Sequence, residues 1–225
     1  MQIFFAGQQP KRGIDDWPKA VEDIARITGE YRQNAMFTVL ASTERDPGFG
    51  TLRTLVPQST VFGDGAVYKG VEPVAFMFQT ADCPFLVVQD DTTGKVAMGH
   101  CGKYAMKPCK PGQHCGNTVT TVLSHFKEVD RVHLSAYITP GICGRCYVHD
   151  EDPTLVADFY NAIDFGEDRS IGGLDLVRRI KHELRHEGIP EVNIELDGRC
   201  TKENPELSSY RCGDQHRNAI VVLVN

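Results

Sequence analysis

The residue pattern of this 225-residue chain predicts an α+β fold: one domain, residues 1–225, of mixed β-sheet layers with peripheral helices. Three observations carry that prediction. Short apolar runs separated by turn residues crowd the middle of the chain, as expected of strands joined by hairpins and tight loops. Segments with apolar residues at helical spacing sit mostly outside this middle, so the order differs from the regular alternation of a doubly wound sheet. No internal repeat, low-complexity tract or linker divides the chain.

Residues 2–6 read as the first strand. Asp15-Asp16-Trp17-Pro18 then opens a helix, capped by one of its aspartates, with Val21, Ile24, Ala25 and Ile27 on one face as far as Tyr31. Residues 35–41 form a second strand, and 42–50 a polar loop with a Pro-Gly turn. Strands follow at 54–62, 74–78, 85–89 and 96–100, the last two joined by the hairpin signal Asp90-Asp91-Thr92-Thr93-Gly94. Beyond a Pro- and Gly-rich loop at 107–116, residues 117–126 read as helix and 132–138 as strand. Helices at 153–162 and 174–187 and strands at 192–196 and 219–224 complete the pattern.

Hydrophobic content of 41% and charged content of 24% suit a globular domain with a substantial core. A formal net charge of -6 lacks the basic footprint of a protein that grips nucleic acid or an anionic membrane, so neither is an expected partner. Met1 to Gly7 is a short apolar stretch with no basic lead, and no 18-residue apolar segment is present, so the expected compartment is the cytoplasm. There the eight cysteines, six of them between Cys83 and Cys146, are thiols, ligands or a redox pair.

Cys83 and His100 are the leading site candidates. Ala81-Asp82-Cys83-Pro84 and Gly99-His100-Cys101-Gly102 each close an apolar run, 17 residues apart, a spacing that lets two neighbouring strand ends converge. A thiol beside an imidazole can hold a metal or act as nucleophile and base, because the histidine can take the thiol proton; a buried thiol and a core histidine are the structural alternative. His182-Glu183-Leu184-Arg185-His186 spells a zinc-protease pattern, yet both histidines point about 160° from the apolar face of Leu174, Val177, Ile180 and Leu184 at 100° per residue. Cys143-Gly144-Arg145-Cys146 has the spacing of zinc ribbons, with Cys101, Cys109, His114 or Cys115 as the partners a second metal site would need. Neither a Gly-rich phosphate loop nor a GxSxG elbow is present. Ser209-Tyr210-Arg211 and Arg217 precede the last strand, where an arginine fork can hold an anion or serve a surface ion pair.

Together these segments resemble the laccase-domain, YfiH-like family, whose members are variously labelled polyphenol oxidase, purine nucleoside phosphorylase or peptidoglycan editing factor. Thr80-Ala81-Asp82-Cys83-Pro84 resembles the family's TADC motif, and Val96 to Gly102 its VAAAHAGWRG segment. Pro140, Ile142, Cys146 and Tyr147 fit GPCIGPCCYEV; Cys200-Thr201, Ser209-Tyr210-Arg211 and Arg217 fit the closing CT, SYR and GR pattern. The likeness is clearest over residues 54–225. It implies an enzyme acting on purine nucleosides or a related small molecule, with Cys83 and His100 as metal ligands and catalytic groups, Arg211 as a catalytic anchor, and Lys103 and Arg217 as substrate contacts. Zinc is the implied metal, ahead of copper.

This chain departs from the family at one ligand. The family's first histidine lies in a QVHGD motif, matched here by Thr60-Val61-Phe62-Gly63-Asp64, so Phe62 stands where histidine belongs; anchoring on Gln58 puts Thr60 there instead. Neither is a normal ligand for a soft metal, so a metal-free state is an expectation too. Lys103-Tyr104 replaces the family's Trp-Arg, and Arg12-Gly13 is a poor match to its RGGVS region. The fold also resembles the catalytic domain of cytotoxic necrotizing factor, a deamidating toxin with a metal-free Cys-His pair. That implies the alternative of a metal-independent hydrolase or amidase; a non-catalytic binding protein is the third reading.

Overall fold

The computed structural model describes residues 1–10, 19, 22–23, 36–40, 52–54, 60–62, 65–69, 74–103, 105–106, 117–149, 153–161 and 173–224. Its strands are β1 (Gln2–Gln9), β2 (Met36–Leu40), β3 (Leu52–Thr54), β4 (Thr60–Phe62), β5 (Gly65–Tyr68), β6 (Val74–Thr80), β7 (Phe85–Asp90), β8 (Val96–His100), β9 (Leu134–Ile138), β10 (Ile194–Leu196) and β11 (Arg217–Val224). Among the described residues they form a five-stranded sheet, β1-β11-β6-β2-β4, and a six-stranded sheet, β10-β9-β7-β8-β5-β3. The helices whose bounds lie among the described residues are α1 (Thr118–Ser124), α2 (Pro153–Asn161) and α3 (Leu176–His186).

Strand alternation explains the layers. Val74, Phe76 and Phe78 of β6 and Ile220, Val222 and Val224 of β11 join Phe85, Val87, Val96 and Met98 of the other sheet in one core. The intervening residues Ala75, Met77, Ala219, Val221 and Leu223 are buried on the opposite face of the first sheet. On the second sheet, Leu86, Val88, Ala97, Ala136 and Ile138 face outward into a core shared with Val119, Val122, Leu123, Phe159, Leu176, Ile180 and Leu184 of the helices. Both faces of the central strands are therefore buried, which is why they read as continuous apolar runs rather than alternating ones. Full burial of each Phe, Leu or Val side chain contributes roughly 1.5–3 kcal/mol.

The hairpin is present: β7 and β8 pair antiparallel from Phe85↔His100 to Gln89↔Val96, with Gly94 at φ 72° in the turn. One strand expectation is corrected. Instead of a single strand over 54–62, β3 and β4 belong to different sheets, and β5 follows as an additional strand. Polar Thr54, Gln58, Ser59 and Thr60 interrupt that stretch, while Gly65 to Tyr68 is too short to register as a periodic segment. Residues 131–133 and 191–193 are 3-10 turns that lead into β9 and β10, shortening the strands expected there. Most of the helix expected at 15–31, the loop at 42–50 and the Pro/Gly-rich loop at 107–116 lie outside the described residues.

In α3 the Asp175 side chain caps the first turn by accepting from the Arg178 amide at 2.9 Å. Glu183 faces inward, pairs with Arg179 at 2.5 Å and accepts from Asn117 Nδ2. His186 is exposed and His182 half-buried, so the protease-like pattern is a helix face whose glutamate serves an ion pair.

Candidate active site

Strand register brings Cys83 and His100 together. Phe85, two residues after Cys83, pairs with His100 across the β7–β8 ladder, and the Phe85 and His100 rings lie 5.4 Å apart. A Cβ placed on Gly102 would stand 3.3 Å from His100 Nε2 and 3.4 Å from Cys83 Sγ. Thiol and imidazole thus converge on one point, and glycine at 102 leaves that point clear. Cys83 is half-buried, whereas neighbouring Cys101 is fully buried and its thiol contacts Gly99 O. Burial, with Glu183 nearby, pushes the Cys101 thiol well above its usual range, so it is the inert cysteine of the two.

The turn carrying Cys83 is held from several directions. Thr80 Oγ1 donates to Cys83 O at 2.6 Å, and buried Asn218 donates to Ala81 O at 2.9 Å. Asp82 points the other way and is 6% exposed. Its carboxylate accepts from Thr201 Oγ1 at 2.8 Å and from the Arg211 amide at 2.9 Å, while its carbonyl accepts from the Ile142 amide at 2.8 Å. One aspartate therefore joins the Cys83 turn to three later segments that share no strand with it.

Arg211 is fixed through its backbone and exposed through its side chain. Nη2 lies 3.2 Å from His149 Nε2, and the guanidinium sits 5.0 Å from the Tyr147 ring centre. Guanidinium only donates, so His149 Nε2 is the acceptor. Tyr147 packs edge-on to His149, with ring centres 4.5 Å apart. Burial, and after it the charge of Cys83, pushes the Tyr147 hydroxyl upward. Tyr147, His149 and Arg211 thus form one cluster, tied to the turn that carries Cys83 through the Arg211 amide and Asp82. His149 escaped sequence reasoning: nothing near it marks a buried imidazole except its position two residues beyond Tyr147.

Lys103 follows Gly102 directly and is half-buried. Arg217 begins β11, one residue before Asn218, and its guanidinium bonds the carbonyls of Asp214 and His216. The described donors do not complete a three-ligand metal site at Cys83 and His100: no third His, Cys, Asp or Glu among the described residues groups with them. β4 runs parallel to β2, and β2 to β6, with Leu40↔Phe62 and Thr38↔Met77 in register. Phe62 therefore lies at the sheet end from which the Cys83 turn leaves, the position where the family's histidine is expected. His114, Cys109 and Cys115 lie outside the described residues.

The Cys143–Cys146 pair has partners, though from a later segment than expected. An isolated bridge, Gly141↔Cys200, brings the turn after β10 beside it, and Cys143, Cys146, Cys200 and Glu203 place one donor atom each within 4.8 Å of one another. Burial and the neighbouring Cys143 and Glu203 push the Cys146 thiol up to about 12. At Cys200 burial also acts upward, but the amides of Cys143, Glu203 and Lys202 outweigh it and hold that thiol below its usual value.

A family model described as multi-copper polyphenol oxidoreductase laccase matches residues 38–224. Comparison with curated proteins returns no match. Among solved structures, the fold is similar to the Bacillus licheniformis hypothetical protein YfiH, with a TM-score of 0.67 at 14% identity over 97% of this chain and 84% of that one. It is also similar to YlmD from Geobacillus stearothermophilus, with a TM-score of 0.65 at 16% identity over 99% of this chain and 90% of that one. A Neisseria meningitidis protein gives a TM-score of 0.64 at 17% identity, covering 95% of this chain and 83% of its own. At these identities the structures speak for the fold, and the family model speaks for membership: the chain belongs to the multi-copper polyphenol oxidoreductase laccase family.

Proposed function

We propose that the chain is an enzyme acting on a purine nucleoside or a related small molecule, with Cys83 and His100 as the reactive pair and Arg211 orienting an anionic or electron-rich group. The observation that carries this reading is the convergence of Cys83 Sγ and His100 Nε2 within 3.4 Å of the same point above Gly102. Lys103 adds positive charge next to it.

Such a pair supports hydrolytic displacement of nitrogen from an sp2 carbon. His100 takes the thiol proton as Cys83 Sγ bonds to the carbon, then gives that proton to the departing amine as the carbon–nitrogen bond breaks. Water attacks the same carbon and loses a proton to His100; the carbon–sulfur bond then breaks and the thiol regains its proton. For adenosine the carbon is C6, and the products are inosine and ammonia. A metal-independent amidase follows the same steps at a carboxamide carbon. That second reading draws support from Phe62, which stands where the family's first ligand histidine is expected and is not a normal metal ligand.

Adenosine and inosine, each with and without orthophosphate, and a panel of primary carboxamides test the proposal, with inosine, free base and ammonia as readouts. Ammonia release is expected to fall at least ~100-fold in Cys83→Ala and in His100→Ala. Activity on no member of this set, or phosphate-dependent base release that survives Cys83→Ala, overturns the thiol-based mechanism.

A further inference from the structure

We propose that Cys143, Cys146, Cys200 and Glu203 form a tetrahedral zinc site, distinct from the Cys83–His100 pair, that locks together the two turns supporting the active site. The dimensions match. Zinc bonds of about 2.3 Å to sulfur and about 2.1 Å to a carboxylate oxygen set tetrahedron edges of about 3.8 Å between sulfurs and about 3.6 Å between sulfur and oxygen. Glu203 Oε1 lies 3.4 Å from Cys146 Sγ and 3.9 Å from Cys143 Sγ, and all four donor atoms fall within 4.8 Å of one another. Small side-chain rotations close the remaining difference.

The backbone is arranged to match. Cys143-x-x-Cys146 and Cys200-x-x-Glu203 are two turns of the same spacing. In the first, the amides of Cys146 and Tyr147 donate to Cys143 O at 3.0 and 2.9 Å; in the second, the Asn204 amide donates to Cys200 O at 3.0 Å. Thr201 N to Gly141 O, 3.2 Å, ties one turn to the other. The Cys143 amide donates to Cys200 Sγ at 3.3 Å, an outer contact of the kind that orients a ligating thiolate. Arg145 Nη2, 3.5 Å from Glu203 Oε1, offsets part of the negative charge.

Three thiolates select a soft or borderline metal, and a carboxylate as fourth ligand in a tetrahedron favours zinc over monovalent copper. Binding forms three zinc–sulfur bonds and one zinc–oxygen bond and releases three thiol protons to the buffer, with no electron transfer. The consequence reaches the active site through single residues: Thr201, next to Cys200, donates to Asp82, and Tyr147, next to Cys146, carries the Arg211 guanidinium.

The test is metal content by mass spectrometry, on protein purified without chelator and on stripped protein titrated with zinc chloride. About one zinc per chain is expected. It should persist in Cys83→Ala/His100→Ala and fall at least ~10-fold in Cys143→Ser/Cys146→Ser and in Cys200→Ser. Where the serine variants fail to fold, the unmodified chain decides: zinc is expected to shield Cys143, Cys146 and Cys200 together from alkylation, and a chelator to expose all three. Zinc that disappears with Cys83 and His100, free alkylation of the three thiols in zinc-saturated protein, or a disulfide among them in protein kept under reducing conditions overturns the site.

Discussion

Replacing Asp82 by asparagine isolates the tie between the Cys83 turn and the segments around it. The carboxylate accepts from Thr201 Oγ1 at 2.8 Å and from the Arg211 amide at 2.9 Å, out of reach of bulk water. In Asp82→Asn the remaining oxygen must face the Arg211 amide, which can only donate; the new NH2 then faces Thr201, whose hydroxyl can turn to accept. Both bonds survive without an ionised partner. Hydrogen bonds to charged groups contribute about 1.5–3 kcal/mol and neutral ones about 0.5–1.5 kcal/mol, so the two changes together remove about 2–3 kcal/mol. In a chain of this size that lowers Tm by about 4–12 °C. Asp82→Ala, which strands both donors, is expected to be worse, at about 3–5 kcal/mol. Thermal unfolding followed by circular dichroism at neutral pH measures this. An Asp82→Asn Tm within about 1 °C of the parent refutes the account of Asp82 as a charged junction.

Three further outcomes follow from the geometry. Gly102→Ala sets a methyl group 2.9 Å from His100 Cε1 and 3.4 Å from Cys83 Sγ. Turnover should fall about 100-fold, with a stability change under ~2 kcal/mol by denaturant titration. Gly173→Ala is the opposite case: its Cβ would stand 2.1 Å from Gly144 O and 2.5 Å from Tyr147 O, so backbone must move, and a loss of about 3 kcal/mol or more is expected in the same titration. Asp90 gives a pH signature. Burial raises its carboxyl, but hydrogen bonds from Thr92 and Thr93 outweigh burial and hold it below the usual 3.8. Its stabilisation is therefore complete above that value and lost as pH falls through the lower folded one. Asp90→Asn should flatten this acid limb of a stability-against-pH curve and lower stability at neutral pH; an unchanged acid limb contradicts the assignment.

The legible parts of the sequence were those decided locally. Apolar runs located β6, β7, β8 and β11, the Asp-Asp-Thr-Thr-Gly signal located the hairpin, and helical spacing turned His182 and His186 away from the core. What stayed hidden depends on pairing between distant segments. Nothing local divides β3 from β4 into separate sheets, because each is completed by strands elsewhere in the chain. Cys83 and His100 could be paired from sequence because one hairpin joins their strands. The partners of Cys143 and Cys146 could not, since Cys200 and Glu203 arrive through the Gly141↔Cys200 bridge, and the Cys143 amide meets Cys200 Sγ across 57 residues of chain. A signal was available in the repeated two-residue gap of Cys200-x-x-Glu203, but a glutamate as fourth ligand disguises it. The role of Asp82 was equally invisible, since its acceptor bonds reach to Thr201 and Arg211.

The central claim is that Cys83 and His100 act as one unit, and a double-mutant cycle on ammonia-releasing turnover tests it most directly. If thiol and imidazole work on the same proton, Cys83→Ala, His100→Ala and the double variant should show nearly equal kcat/KM losses, because removing either partner already disables the pair. Losses that multiply in the double variant, or full turnover in either single variant, would show two independent residues and contradict a shared reaction centre.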